Sequence, residues 1–178
     1  MTTPKIIATN KPWQGKLIAI QQDTLTLGEG KPFVREIAVV DDVVGILVLD
    51  DTNRILLIKQ YRHAVKTAIW EIPAGRMDVA GEQPHETAIR ELREEVDLQA
   101  QSMEQLAVFA NSVGWTTETT YLFRARGLTP TTSFERVHEE ADIEKAWIPP
   151  SEAFALIQSG AIADAKTMIA ILIALKMQ

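Results

Sequence analysis

Residues 71–98 read EIPAGRMDVAGEQPHETAIRELREEVDL, a Pro-Ala-Gly turn and a short loop followed by a segment rich in glutamate. Apolar residues recur at helical spacing after Pro84, and proline is favoured in a first helical turn, so a helix is predicted over 84–96. Within it, Glu91, Glu94 and Glu95 lie close enough to repel one another. A protein tolerates that repulsion when a cation of high charge binds among the carboxylates. The stretch therefore predicts a divalent-metal site and, with it, chemistry on phosphates.

A helical projection places two of the carboxylates beside the face that packs on the rest of the protein. At roughly 100° of turn per residue, one stripe contains the apolar side chains, which are Ala88, Ile89, Leu92 and Val96. Glu95 lies roughly 20° outside one edge of this stripe and Glu91 about 60° outside it. Glu94 lies further round, and Arg90 is nearly opposite the stripe. Glu91 and Glu95 can therefore point into a shared cleft.

The alternative is an acidic helix face that only contacts solvent. Such a face would lie opposite the apolar stripe and would more often pair glutamate with lysine four residues away. Here that spacing joins Glu91 to Glu95, a like-charge pair that destabilises a helix. If a metal binds, an all-oxygen donor set without cysteine favours Mg²⁺ or Mn²⁺ over zinc. The spacing by itself leaves both interpretations open.

Composition indicates a globular chain of one domain, with room for a small N-terminal annex. Of its 178 residues, 46% are hydrophobic and 24% charged, which is ordinary for such a chain. Cysteine is absent, so disulfides, thiolate catalysis and cysteine-ligated zinc are excluded. A net charge of −6 argues against a nucleic-acid partner, which needs a basic face. It is compatible with a small phosphorylated ligand bound through metal ions.

No membrane association is expected, and the expected location is the cytoplasm. The first residues, MTTPKIIATNKPWQGK, lack the apolar stretch of a signal peptide. The apolar run at 168–178, MIAILIALKMQ, is too short to span a bilayer and predicts a terminal helix packed on the core.

Strands predominate outside the glutamate-rich segment. They are predicted at 17–20, 24–27, 33–40, 43–50, 54–62, 107–112, 119–126 and 143–149. The turn residues DTN at 51–53 predict that 43–50 and 54–62 pair as a hairpin. Ser151 is predicted to cap a helix that extends to Ile157, and Asp164 to begin the last helix. The predicted fold class is α/β (α+β), a mixed sheet with helices packed on it.

The glutamate-rich segment closely resembles the Nudix box, the signature of the Nudix hydrolase superfamily. That pattern is Gly, five residues, Glu, seven residues, Arg-Glu, an aliphatic residue, any residue, Glu-Glu, any residue, Gly, and an aliphatic residue. The matching positions are Gly75, Glu82, Arg90, Glu91, Leu92, Glu94, Glu95 and Leu98. The match departs from the pattern twice, with six residues between Gly75 and Glu82 and with Asp97 in place of the last glycine. That glycine ends the helix in a left-handed conformation, which Asp tolerates at some cost.

Sequence beyond the box is similar to the ADP-ribose pyrophosphatase branch of that superfamily. The similar stretches are RILLIKQYRHAV (54–65), WEIPAG (70–75), SVGWTTE (112–118) and GAIADAKT (160–167). Val113 differs from the branch, which typically has Ser-Pro-Gly at that turn. The resemblance implies an α/β/α sandwich with a mixed β-sheet, comprising a Nudix hydrolase domain at 41–178 with its box at 75–98. It also implies that an antiparallel strand annex at 1–40 forms a homodimer.

The resemblance further implies metal-dependent hydrolysis of ADP-ribose to AMP and ribose 5-phosphate. Glu91 and Glu95 would be the main ligands of Mg²⁺, with Mn²⁺ as the other candidate. Glu94 would be a third or indirect ligand, and the backbone carbonyl of Ala74 a further one. Arg90 would orient the glutamates through salt bridges; the alternative is an ordinary surface arginine.

The general base of this branch is usually a glutamate in the loop after the box, and Glu118 in GWTTE occupies that position. The alternative for Glu118 is a solvated loop acid, and Glu140 in HEEAD is a weaker candidate for the base.

Four residues are candidates for binding the nucleoside-diphosphate-linked substrate. Arg62, in QYR, is suited to a ribose or phosphate by its planar fork of donors. Arg35 is a candidate for the adenine or phosphate side, or else a strand-edge charge. Trp13 would stack on the base, often from the partner subunit in this branch, or else serve as a hydrophobic anchor. Arg76, directly after the Pro-Ala-Gly turn, completes the set.

Two other functions are left open. The first is a related enzyme that hydrolyses another nucleotide sugar or a dinucleotide, and Val113 is the feature that favours it. The second is a non-catalytic Nudix domain that senses nucleotides. Such domains usually carry degraded box glutamates and a DNA-binding segment, whereas the box glutamates here are intact.

Overall fold

The computed structural model describes residues 2–132 and 143–177. Its chain divides into two compact units. The first comprises Met1–Asp42 with Ala110–Thr119, and the second comprises Val43–Phe109 with Thr120–Gln178. The second unit contains the glutamate-rich helix.

The first unit is built on a three-stranded antiparallel sheet. Its strands are β1 (Lys5–Gln14), β2 (Ala19–Thr26) and β3 (Phe33–Val39), in that order. The two strands predicted at 17–20 and 24–27 are one continuous strand, because buried Asp23 stays in the ladder by accepting hydrogen bonds from Thr9 and Gln21. β1 was missed because all ten of its residues are exposed and leave no burial pattern in the sequence.

Where the structure describes it, the second unit contains two sheets built from seven strands. These are β4 (Val43–Val48), β5 (Ile55–Arg62), β6 (Thr67–Glu71), β7 (Ala74–Arg76), β8 (Leu98–Ala110), β9 (Thr119–Pro130) and β10 (Glu144–Ile148). One sheet has the order β10-β5-β6 and is antiparallel. The other has the order β7-β4-β9-β8 and is mixed, because β4 runs parallel to β9 and antiparallel to β7.

The predicted hairpin of 43–50 with 54–62 is wrong. β4 and β5 belong to different sheets and share only an isolated bridge between Leu49 and Ile55. The turn itself forms as its residues indicate, with the Asp50 carboxylate accepting from the backbone N–H groups of Thr52 and Arg54 at 2.9 and 2.8 Å. A tight turn reverses the chain direction but does not determine which strands pair. β4 and β5 each pair with strands from other segments of the chain.

The described residues of the second unit also form three helices: α1 (Pro84–Val96), α2 (Pro150–Gln158) and α3 (Ala165–Lys176). The predicted α1 is confirmed, and Glu86 accepts from the backbone N–H of Gln83 at 2.8 Å before its first turn. Ser151 does not cap α2, because Pro150 already begins the helix and places Ser151 in the first turn. Asp164 caps α3 as predicted, accepting from the backbone N–H of Thr167 at 2.9 Å.

Helices cover both faces of the strands, which gives the predicted α/β/α class. Alternate residues of β4 and β5 face opposite sides of the sheets, and the side chains named next are buried on one side or the other. One side packs against α1 through Val44, Ile46, Val48, Leu56, Ile58, Ala88, Leu92 and Val96. The other packs against α2 and α3 through Leu47, Leu49, Ile55, Leu57, Ala153, Ala170, Ile171 and Ala174. None of the helices in the described residues is long and apolar enough to cross a membrane.

Candidate active site

The helix α1 packs beside β7, which brings Glu95 to the strand backbone. β7 pairs with β4 so that Ala74 lies opposite Gly45 and Gly75 opposite Val44. Glu95 is 4% exposed, and its Oε2 accepts from the backbone N–H of Ala74 at 2.8 Å. A buried carboxylate needs such a donor because it has lost its water. The predicted position of Glu95 beside the packing face is therefore confirmed.

Gly75 leaves the space that the neighbouring carboxylate Glu91 occupies. A Cβ on Gly75 would lie 1.9 Å from Glu91 Cδ and 2.1 Å from Oε1, far inside van der Waals contact. No other residue fits at position 75 without moving Glu91. Two glutamates one helical turn apart thus lie against consecutive residues of β7.

Arg90 holds the remaining carboxylates together. Its Nε and Nη2 donate to Glu82 at 3.0 and 2.9 Å. Its Nη1 donates to Glu91 Oε1 at 2.6 Å and to Glu94 Oε2 at 3.1 Å. This guanidinium is therefore not an ordinary surface arginine, because one planar fork organises three acids at fixed angles.

The electrostatics of the group follow from burial and from this arginine. The bond from Arg90 lowers the pKa of Glu82, and the bond to Glu82 raises the pKa of Arg90 above its usual range. Burial raises the pKa of Glu91 to about 7. Arg90 opposes that rise, while repulsion from Glu94 and Asp78 adds to it. Glu91 is thus a carboxylate that a further cation would stabilise.

The donor set fits a hard divalent cation. All candidate side-chain ligands are carboxylate oxygens, and Glu91 and Glu95 both lie at the backbone of Ala74 and Gly75. Among residues 2–132 and 143–177, no three acidic or histidine side chains converge as a ready-made metal cluster. Arg90 engages Glu91 and Glu94, so a cation would bind between the side chains and the strand backbone.

Arg62 lies in the same unit, at the end of β5. Its Nε and Nη2 donate to Glu71 at 2.6 and 3.0 Å, and its side chain is 39% exposed. Burial would lower the pKa of Arg62, but the bonds to Glu71 and the charges of Glu95 and Asp164 raise it. Arg62 is therefore within electrostatic range of the box glutamate Glu95.

Arg76 is exposed at the end of β7. Its Nη2 lies 3.1 Å from Asp78 Oδ2, and its backbone carbonyl accepts from Arg90 at 3.3 Å. Arg76 is thus hydrogen-bonded through its backbone to Arg90, the arginine that also binds the glutamates.

Three other predicted residues, Trp13, Arg35 and Glu118, belong to the first unit. Trp13 is 54% exposed in β1. Arg35 donates to the carbonyl of Val34 at 2.9 Å, and its guanidinium lies 4.8 Å from the ring centroid of Phe33. Glu118 is half-buried in the loop after β8 and accepts a hydrogen bond from the Asn111 amide. Glu140 lies outside the described residues.

Sequence reasoning assigned no role to Glu71 or Lys166. Glu71 is 1% exposed and bonds to both Arg62 and Lys166, the latter at 2.7 Å. The signal was a lone acid at the end of an apolar strand, directly before the Pro-Ala-Gly turn. Its partner lies 95 residues away in sequence, and no local pattern connects the two.

Comparison with known proteins identifies relatives for nearly the whole chain. A family model described as NUDIX domain matches residues 40–170. An ADP-ribose pyrophosphatase from Mycobacterium tuberculosis is 37% identical over 89% of this chain and 76% of its own. A methanol dehydrogenase activator from Bacillus methanolicus and an ADP-ribose pyrophosphatase from Bacillus subtilis are 33% and 32% identical, each over 94% of this chain and 90% of its own.

The fold also has a counterpart among solved structures. A crystal structure of an ADP compounds hydrolase superposes with a TM-score of 0.86 over 99% of this chain and 94% of that one. The two sequences are only 19% identical, so this likeness concerns the fold.

Proposed function

The chain belongs to the NUDIX domain family, and from that premise we propose that it hydrolyses the pyrophosphate bond of ADP-ribose to AMP and ribose 5-phosphate, with Mg²⁺ as its metal. One observation carries the proposal: Glu91 and Glu95 are held against consecutive residues of β7, where a hard cation can bind between them and the strand. Two relatives named ADP-ribose pyrophosphatase support the substrate.

Glu91, Glu95 and the backbone carbonyl of Ala74 would hold the metal, with Glu94 as a third or indirect ligand. A bound divalent cation supplies charge neutralisation on phosphate oxygens and lowers the pKa of water. Mn²⁺ suits the same oxygen donors. Arg90 acts as a positioning residue, because its bonds to Glu82, Glu91 and Glu94 fix the carboxylates before substrate arrives.

Glu118 is the proposed general base that takes a proton from the attacking water. The Asn111 amide donates to its carboxylate and so holds that side chain in place in the loop after β8. Replacing it in Glu118→Gln removes the proton acceptor but keeps its size, so kcat should fall by about a hundredfold or more. Metal affinity, measured by calorimetric titration, should stay near the wild-type value. An unchanged kcat would assign the base elsewhere.

Four side chains are proposed to bind the substrate. Arg62 and Arg76 suit its phosphates and terminal ribose, because both side chains are partly exposed and end in a planar guanidinium fork. Arg35 and Trp13 would bind the adenosine end, with the exposed Trp13 ring available for stacking on the base.

The N-terminal annex at 1–40 is proposed to dimerise the protein, leaving 41–178 as the hydrolase domain. Within the three-stranded sheet, Ile6 is 61%, Ile7 55% and Val34 47% exposed. Apolar side chains collected on one small sheet favour burial by a second copy. A monomeric mass by light scattering at micromolar concentration would contradict this proposal.

A substrate panel tests the proposal as a whole. Initial rates on ADP-ribose, GDP-mannose, NADH and diadenosine polyphosphates should show the highest kcat/KM for ADP-ribose. A different best substrate would replace ADP-ribose within the same reaction class. Two observations favour that outcome. Val113 stands where the branch typically has proline, in the turn before Glu118, and the Bacillus methanolicus relative is a methanol dehydrogenase activator instead of an ADP-ribose pyrophosphatase by name. No hydrolysis of any compound with Mg²⁺ or Mn²⁺ would favour a nucleotide-sensing domain.

A further inference from the structure

Four charged side chains form an alternating row in the second unit. They are Arg62, Glu71, Lys166 and Asp164, in that order, and every neighbouring pair is joined by an ion pair. The distances are 2.6 Å for Arg62–Glu71, 2.7 Å for Glu71–Lys166 and 2.9 Å for Lys166–Asp164. The positive end of the row, Arg62, is also its most exposed member. The row therefore presents a cation to solvent at one end.

Glu71 is the centre of this row and is almost fully buried. Its Oε1 accepts from Arg62 Nε, while its Oε2 accepts from both Arg62 Nη2 and Lys166 Nζ. A buried carboxylate shared by two cations leaves each of them only partly neutralised. Without Lys166, the same carboxylate would neutralise Arg62 alone.

The aliphatic part of Lys166 places it close to the proposed metal-binding strand. A Cβ on Gly45 would lie 3.8 Å from Lys166 Cδ, so the lysine stem passes over Gly45. Gly45 is the β4 partner of Ala74. The next residue of α3, Thr167, accepts from the backbone N–H of Ile72 at 2.9 Å. The first turn of α3 thus holds Glu71 by its side chain and Ile72 by its backbone.

We infer that Lys166 is a positioning residue for substrate binding, which acts through Glu71 on Arg62. It holds the second oxygen of Glu71, fixes the plane of the carboxylate and so fixes the guanidinium that donates to it. It also draws part of the Glu71 charge away from Arg62, which keeps that side chain attractive to a dianionic phosphate. The inference rests on the proposed role of Arg62 toward a pyrophosphate substrate. Nη1 of Arg62 has no hydrogen-bond partner in the described part of the chain and is the group left for that substrate.

The test compares Lys166→Met with Lys166→Arg in the full-length protein. The Met variant keeps the stem but removes the charge, so KM for ADP-ribose should rise about tenfold, the effect of one charge-assisted hydrogen bond. kcat should change less than about threefold, because the metal ligands stay in place. The Lys166→Arg variant keeps the charge and should have a KM close to that of wild type. If the Met variant does not fold, Lys166→Gln replaces it, since it also removes the charge but keeps a polar end group, and KM should rise severalfold.

A double-mutant cycle shows whether the effect passes through Arg62. Lys166→Met should add little to the KM of Arg62→Met, because the group that it positions is already absent. The matched control is Lys59→Met, which removes a partly exposed β5 lysine that pairs with Glu144 and lies over the Trp70 ring, and which should leave KM unchanged. A KM for Lys166→Met within twofold of wild type, or independent effects that multiply in the double variant, would overturn the inference.

Failure of the proposed function would look different. Wild-type protein would then not hydrolyse ADP-ribose, and the same variants would be compared on the nucleoside diphosphate derivative that it does hydrolyse. The positioning role predicts the same KM pattern on any pyrophosphate substrate that Arg62 binds.

Discussion

The two units of the molecule are organised in opposite ways. In the second, the charged side chains of α1 and β7 are bonded before any ligand binds: Glu95 to Ala74, and Arg90 to Glu82, Glu91 and Glu94. In the first, β1 is exposed along its whole length, and apolar side chains such as Ile6 and Val34 face solvent. The carboxylates of α1 are positioned by the second unit's own chain, whereas the sheet of the first unit leaves apolar side chains exposed.

This difference predicts which substitutions reduce catalytic activity and which alter assembly. Changes at the preorganised group should reduce catalysis and leave the fold intact, because the surrounding core stays packed. Changes on the N-terminal sheet should alter assembly first and catalysis second. The variants below separate these two responses.

The largest effect is expected from Glu95→Gln. It removes the charge of a proposed metal ligand, while the amide oxygen can still accept from the Ala74 N–H, so turnover should fall roughly a thousandfold with little change in unfolding temperature. Steady-state rates and circular dichroism melting curves measure the two quantities. If turnover survives, the carboxylates of α1 do not bind the catalytic metal.

The second-largest effect is expected from Gly75→Ala, because the added Cβ cannot coexist with Glu91 in the observed position. Displacing that carboxylate should lower turnover about a hundredfold and weaken metal binding, both measured across a Mg²⁺ titration. The matched control for folding is Gly114→Ala, where an added Cβ meets nothing within 4 Å. Equal Mg²⁺ dependence in wild type and Gly75→Ala would show that Glu91 is not a ligand.

A smaller, concentration-dependent effect is expected from Val34→Lys on the N-terminal sheet. A charge at this 47% exposed valine should shift the protein from dimer to monomer in analytical ultracentrifugation. Val108→Lys makes the same change at a 49% exposed valine of β8 and should leave the mass unchanged. A dimer that persists in Val34→Lys, or a wild-type protein that is monomeric, would remove this sheet from the interface.

The smallest effect concerns Asp97, which ends α1 with a φ of 59° and a ψ of 36°. Glycine adopts this left-handed conformation freely and alanine does not, so Asp97→Gly should be more stable than Asp97→Ala by about 1 kcal/mol. Urea unfolding of both variants measures the difference. Turnover should match wild type in both, since no metal ligand changes; a large loss of turnover would assign Asp97 a part in the site.

The sequence was most informative where the pattern was local. Helical spacing and the fixed positions of Glu82, Arg90, Glu91 and Glu95 were enough to predict α1 and the carboxylates that lie beside its packed face. The left-handed conformation at Asp97 also followed from one position of the motif.

What could not be predicted depends on contacts between distant segments or on burial that the sequence does not show. The turn at 51–53 forms, yet its flanking strands β4 and β5 pair with β7, β9, β6 and β10 instead of with each other. β1 carries no alternation because none of its residues is buried. The bond of Lys166 to Glu71 joins residues 95 positions apart.

The central claim is that α1 and β7 together bind a divalent cation, and a Mn²⁺ titration followed by electron paramagnetic resonance tests it most directly. Free Mn²⁺ gives a sharp signal that is lost on binding, so occupancy is measured without substrate. Wild-type protein should bind at least one Mn²⁺ per chain, displaceable by Mg²⁺, and Glu95→Gln should weaken that binding at least about tenfold. Equal Mn²⁺ binding by the two proteins, or no binding by wild type, would contradict the account.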